Sequence, residues 1–209
     1  MDSKEDTQKA MDALREHVEQ TAQNAIQIIN DYVYMSEYLS LESVQELKYS
    51  KRIFTVILSN PAKSKPLSII SLFDFSEDCV EKVLHQISII FTACGFEIKK
   101  SDSSYIFNES DSEKILSLHN FMSNNIEISI FSEYDSQKEN NECSLFLSAL
   151  GEKIEIISID SSSSKNIGVL EHQLSLFFAA IGKTVKISDG SVINNYGCVV
   201  SPVDVNESE

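Results

Sequence analysis

Histidine is the side chain best suited to acid-base work near neutral pH. This chain carries it twice in one setting, as His85-Gln86 and His172-Gln173, each inside an apolar run. In helical projection both pairs lie at the border of the apolar face, where packing or contact between two related halves is expected ahead of catalysis. Ser101-Asp102 and Ser188-Asp189 are a second repeated pair and offer oxygens that could meet a phosphate or a metal. They lie in SDSS and SDGS, which is the composition of tight turns between strands. The four cysteines, Cys79, Cys94, Cys143 and Cys198, form no C-x-x-C pair, and the four histidines are not grouped with them at zinc-ligand spacing. Glycine-lysine phosphate loops, G-x-S-x-G elbows and H-E-x-x-H helices are all absent. The residues therefore predict no catalytic group, no metal and no cofactor, and they predict buried free thiols.

The elements that position these pairs are themselves repeated. Residues 66–106 align without a gap to residues 153–193, 87 positions on, with 15 identities in 41 positions, where chance gives roughly a tenth. Matches include Ile69/Ile156, Ile70/Ile157, Ser71/Ser158, His85/His172, Gln86/Gln173, Phe91/Phe178 and Gly95/Gly182. In the first copy RIFTVILSN and PLSIISLFDF read as strands. Ser76 with Glu77 and Asp78 opens a helix whose apolar face is Val80, Val83, Leu84, Ile87, Phe91 and Cys94, and Gly95 ends it. FEIKK and SYIF then make a hairpin. SEKILSLHNFM connects to the second copy, which is led by NNIEISIFSEYD and CSLFLSAL.

Ahead of the repeats, Met11, Leu14, Val18, Ala22, Ala25 and Ile29 recur at spacings of three and four, which predicts an amphipathic helix over about 3–30. Residues 31–50 mix periods and are read as mostly helical. The expected organisation is an N-terminal helical region (1–50), a first α/β repeat (51–108), a connecting helix (109–124), a second α/β repeat (125–199) and a disordered acidic tail (200–209). The fold class is α+β, internally duplicated into a pseudo-dimer. Its long amphipathic faces are expected to be mostly core, and the seam between the halves to be a natural groove for a partner segment. Tyr32, Tyr34 and Tyr38 cluster in the ambiguous region as candidate interface anchors. With His85 and His172 they are the candidate partner-binding residues.

Thirty-two acidic against 17 basic residues give a formal charge of −15, which repels phosphate backbones and anionic membranes. Nucleic-acid binding and membrane insertion are excluded on that ground and by the lack of a long apolar run. The acidic N-terminal stretch does not read as a secretory signal, so a cytoplasmic location is expected.

The order helix, three strands, helix, two strands, on an acidic chain, resembles the type III secretion chaperone fold. VLHQISIIFTACGFEIKKSDSSYIF is similar to that family's long helix, terminating glycine and following hairpin. The resemblance implies a chaperone of non-globular segments of secreted proteins, and two halves in one chain imply a built-in pseudo-dimer. The length and charge are also similar to small acidic adaptors of the Dot/Icm type IV coupling complex. The expectation is a non-enzymatic adaptor or chaperone-like protein. The rivals are an immunity or inhibitor protein whose acidic face blocks a basic partner, and an enzyme or small-molecule binder with its site between the repeats.

Overall fold

Two runs of alternating and β-branched residues, each interrupted by one long apolar helix, need two sheets with a helix on each. The computed structural model describes residues 3–33, 38–48, 51–73, 75–100, 103–104, 107–135, 140–160 and 164–199. In chain order these form α1 (Ser3–Val33), β1 (Tyr38–Lys48), β2 (Lys51–Ser59), β3 (Leu67–Phe73), α2 (Glu77–Ala93), β4 (Glu97–Lys100) and β5 (Ser103–Ser104). They continue as α3 (Glu109–Phe121), β6 (Asn125–Asp135), β7 (Asn140–Ala149), β8 (Glu152–Asp160), α4 (Ser164–Ala180), β9 (Thr184–Lys186), β10 (Val192–Asn194) and β11 (Gly197–Val199).

The protein is α+β, with one sheet ordered β3-β2-β1-β4-β5 and the other β8-β7-β6-β9-β10-β11. The two orders correspond strand for strand until β11. Each sheet has an antiparallel three-strand meander whose first strand also pairs in parallel with the strand after the helix. The registers correspond as well: Tyr38 faces Glu97 in the first sheet and Asn125 faces Thr184 in the second, each 87 residues on. Each meander has a bulge next to the repeated Ile-Ile pair, between Val56 and Ile57 in β2 and between Leu145 and Phe146 in β7.

Helix ends follow the expected chemistry. Ser76 caps α2, its hydroxyl accepting the Cys79 N–H at 3.2 Å. At the other end Gly95 has φ +96°, and the Phe96 N–H returns to the Phe91 carbonyl. Gly182 (φ +86°) and the Lys183 N–H repeat this closure after α4. Asn108 and Asp111 form a reciprocal capping box that starts α3.

Three expectations are corrected. Residues 38–48 are a strand in the centre of the first sheet, so the helical reading of 31–50 fails over that stretch. Glu42, Gln45, Glu46, Leu47 and Lys48 are all good helix formers, but Leu39 and Leu41 bury on one face and the pairing with β2 and β4 overrides local propensity. The second half gains a strand, β11, which follows the Asn195-Tyr196 turn and packs against α1. The amphipathic stripe of α1 is also core only in part. Ala22, Ile26, Ile29 and Val33 are buried, whereas Met11 and Leu14 are more than half exposed. Residues 200–209 lie outside the described residues.

Buried residues of both halves belong to one continuous core. Each helix crosses over: α2 packs on β8, α4 on β3, α1 on α4 and α3 on α2. No helix among the described residues is long and apolar enough to cross a membrane.

Candidate functional site

The crossing of the helices makes a seam, and the repeated glutamines sit on it. β3 and β8 are edge strands, so each presents backbone groups that no further strand satisfies. Gln173 on α4 accepts the Ser71 N–H of β3 through Oε1 at 3.3 Å, and Gln86 on α2 donates through Nε2 to the Ser158 carbonyl of β8 at 3.4 Å. Ser71 and Ser158 are themselves a matched pair of the repeat. Each half thus covers the free edge of the other with the same two residue types. The Gln86 Oε1 atom is buried without a hydrogen-bond partner among the described residues.

Behind the glutamines the seam is aromatic. Phe91 of α2 stacks on Phe177 of α4 with centroids 3.8 Å apart and planes 9° from parallel. Phe96 and Phe178 meet Phe177 edge-on at 6.0 and 5.9 Å. In front of the stack lies an apolar pocket of about 230 Å³. Its walls are Ala25, Ile28 and Ile29 of α1, Leu67 to Ile70 of β3, and Gln173, Leu174, Leu176 and Phe177 of α4, with Phe91 at the back. Ile28 stands 53% exposed at its rim, so the pocket is open to solvent beside α1. Small-molecule and cofactor sites usually enclose about 300–1,000 Å³. This pocket is nearer to room for one or two apolar side chains, and Ser68 and Gln173 are the lining residues whose side chains can hydrogen-bond.

The histidines do not share this site. His85 turns to the flank of its own half, where Nε2 lies 3.2 Å from Asp111 Oδ1 on α3 and the ring lies 6.2 Å from Phe107. Partial burial pushes the Asp111 pKa up, but the Asn108 backbone N–H and the adjacent His85 pull it down further, so it ends below the ordinary aspartate value. His172 is exposed on α4, and its backbone carbonyl accepts the Ser175 hydroxyl. Of the repeated pair, glutamine therefore belongs to the seam and histidine to the outer surface.

Tyr32 lies in the core and not on the exposed surface. Its ring is buried, and its hydroxyl accepts the Asn60 N–H at 2.9 Å and donates to the Lys65 carbonyl at 3.2 Å, pinning the segment between β2 and β3. Tyr34 lies outside the described residues, and of Tyr38 only the backbone is described, paired in β1 with Glu97.

The Ser188-Asp189 pair is a turn, as its composition predicts. The Gly190 N–H reaches the Ile187 carbonyl, and Asp189 Oδ1 accepts the Ser191 N–H. Sequence reasoning missed Glu171, which is buried on α4 and accepts both the backbone N–H (3.0 Å) and the hydroxyl (2.5 Å) of Ser188. Its counterpart in the first half is Leu84, so the repeat departs from identity there, and that departure was the available signal. Ser101-Asp102 lies outside the described residues. Cys79 and Cys143 are buried, and Cys94 is partly buried. Burial pushes the Cys94 thiol up to about 12 despite the pull of Lys183. Among the described residues no three His, Cys, Asp or Glu side chains are grouped as a metal site would need.

Comparison with protein-family models, with curated proteins and with solved structures finds no match for this chain.

Proposed function

We propose that this protein is a non-enzymatic adaptor or chaperone-like protein of the cytoplasm that holds a segment of another protein at the seam between its halves. The observation that carries this reading is the pocket in front of the Phe91–Phe177 stack, mostly apolar, open beside the half-exposed Ile28, and sized for side chains. A groove between a helix and a strand accepts an amphipathic helix or an extended segment through such side-chain anchors. The likeness in element order to secretion chaperones agrees with this use. Protein secretion is accordingly the pathway in which partners would first be sought.

The net charge of −15 favours partner segments carrying basic residues beside their apolar anchors. Affinity capture of the tagged protein from its native cells, at moderate and at high salt, tests the reading against an Ala25→Phe variant that fills the pocket. Partner proteins recovered with the natural chain and lost with the filled pocket support it. Identical recovery from both chains excludes the seam as the binding site.

A further inference from the structure

The N-terminal part of α1 carries a separate surface. From Thr7 to Thr21 no side chain is buried, although α1 as a whole is 31 residues long and is anchored from Ala22 onward. Along this projecting part Thr7, Met11, Leu14, Val18 and Thr21 recur at spacings of four and three, the seam of a coiled coil. Met11 is 61%, Leu14 64% and Val18 40% exposed.

Charge identifies the occupant. Residues 7–21 hold two bases, Lys9 and Arg15, against three acids, Asp12, Glu16 and Glu19, a charge density like that of the whole acidic chain, but the acids stand away from the seam. The positions flanking the apolar seam are Gln8, Ala10, Arg15 and His17, none of them acidic. A surface made for a basic partner would set acids along those flanks, whereas this one removes the repulsion that two acidic chains would otherwise meet.

We propose that this part of α1 pairs antiparallel with the same part of a second copy, giving a homodimer joined through the helices. The register that avoids like charges sets Met11 opposite Leu14 of the second copy, and Thr7 opposite its Val18. Arg15 then lies beside Gln8 and within a side chain's reach of Asp12 of the other helix. Within one chain these same groups are held by Arg15–Glu19 (3.2 Å) and Gln8–Asp12 (2.9 Å) contacts along the helix. Antiparallel pairing also puts the acidic bodies at opposite ends. At about 1.5 Å per residue the projecting part spans roughly 22 Å, beyond the roughly 8 Å screening length of physiological salt. Two turns of seam on either side of Leu14 make a weak, concentration-dependent dimer, and the seam pocket is left free.

Sedimentation velocity of the full chain from micromolar to millimolar concentration tests this. The mass is expected to rise from 23.4 kDa toward twice that value. Leu14→Asp is expected to hold it at the monomer value, while Leu116→Asp, at a residue 60% exposed on α3, leaves the association intact. All of these residues are exposed, so the variants fold, and circular dichroism verifies it. A monomer throughout, a dimer indifferent to Leu14→Asp, or a dimer abolished by Leu116→Asp overturns the proposal. For the register, Met11→Cys chains mixed with Leu14→Cys chains are expected to form the mixed disulfide faster than either forms its own. A faster self-disulfide overturns the antiparallel pairing.

Discussion

Truncating the stacked rings at the seam probes whether the two halves are one cooperative body. Phe91 and Phe177 are 1% and 4% exposed, and each belongs to a helix of a different half. Removing a buried ring to alanine costs about 3–5 kcal/mol through lost transfer energy and the cavity left behind. Aromatic pairs in good contact add about 0.5–1.5 kcal/mol of their own. Phe91→Ala and Phe177→Ala are each expected to destabilise by about 3–5 kcal/mol, and the double variant by less than the two together, the shortfall being the stacking energy. Because total stabilities run at about 5–15 kcal/mol, Phe→Leu variants, expected to lose about 1–2 kcal/mol, keep the cycle measurable should the alanine double variant unfold. The assay is urea denaturation followed by far-UV circular dichroism and tyrosine fluorescence. A single coincident transition is expected, since both halves feed one core. Two separated transitions, or a cost below about 1 kcal/mol for Phe177→Ala, would refute the crossed packing.

Other expectations concern single contacts. Gln173→Leu is expected to cost about 1–2 kcal/mol more than Gln86→Leu, because it strands the Ser71 N–H, whereas Gln86→Leu gives up the bond to the Ser158 carbonyl but also removes a buried oxygen that has no partner among the described residues; equal costs in denaturation would contradict this. Tyr32→Phe leaves the Asn60 N–H without its acceptor and should lower stability by about 1–3 kcal/mol, with faster amide exchange at residues 60 and 62–65. The Asp111 pKa is lowered in the folded protein, so its contribution to stability is present above the ordinary aspartate range and is lost as pH falls through the folded value. Asp111→Asn should flatten that acid limb in melting experiments, and His85→Ala should raise the Asp111 pKa read by NMR. With its thiol pushed up to about 12, Cys94 should alkylate at mildly alkaline pH roughly a thousandfold more slowly in the folded than in the denatured chain. Comparable rates would show that burial does not hold the proton there.

Much of this architecture was legible because the signals were local and occurred twice. Ser76, Gly95 and Gly182 mark helix ends by backbone chemistry that neighbouring residues cannot override. The strands at 51–59, 67–73, 125–135 and 140–149 carry apolar patterns long enough to identify. Residues 38–48 were illegible because Leu39 and Leu41 supply only two turns of alternation ahead of strong helix formers, and the deciding interaction is pairing with Glu97–Lys100, far along the chain. The repeated His-Gln pairs mark a contact between the halves, but the sequence does not say which member of each pair makes it. His85 and Gln86 are adjacent in sequence, and only the packing of α2 on β8 decides which of them turns inward. The pocket gathers Ala25, Leu67 and Phe177 from three distant segments, each an ordinary core residue by type. Tyr32 was chosen for its aromatic neighbours, whereas its hydroxyl is consumed by Asn60 and Lys65.

A partner segment held at the seam would lie against Ile28. A photo-reactive side chain at Ile28, on the pocket rim, tests it inside native cells, with the same group at Leu116 and at His172 for comparison. A discrete cross-link to a segment of another protein is expected from Ile28, suppressed by Ala25→Phe and absent from the two comparison sites. Cross-links of equal yield from all three positions, or none from Ile28, would contradict it.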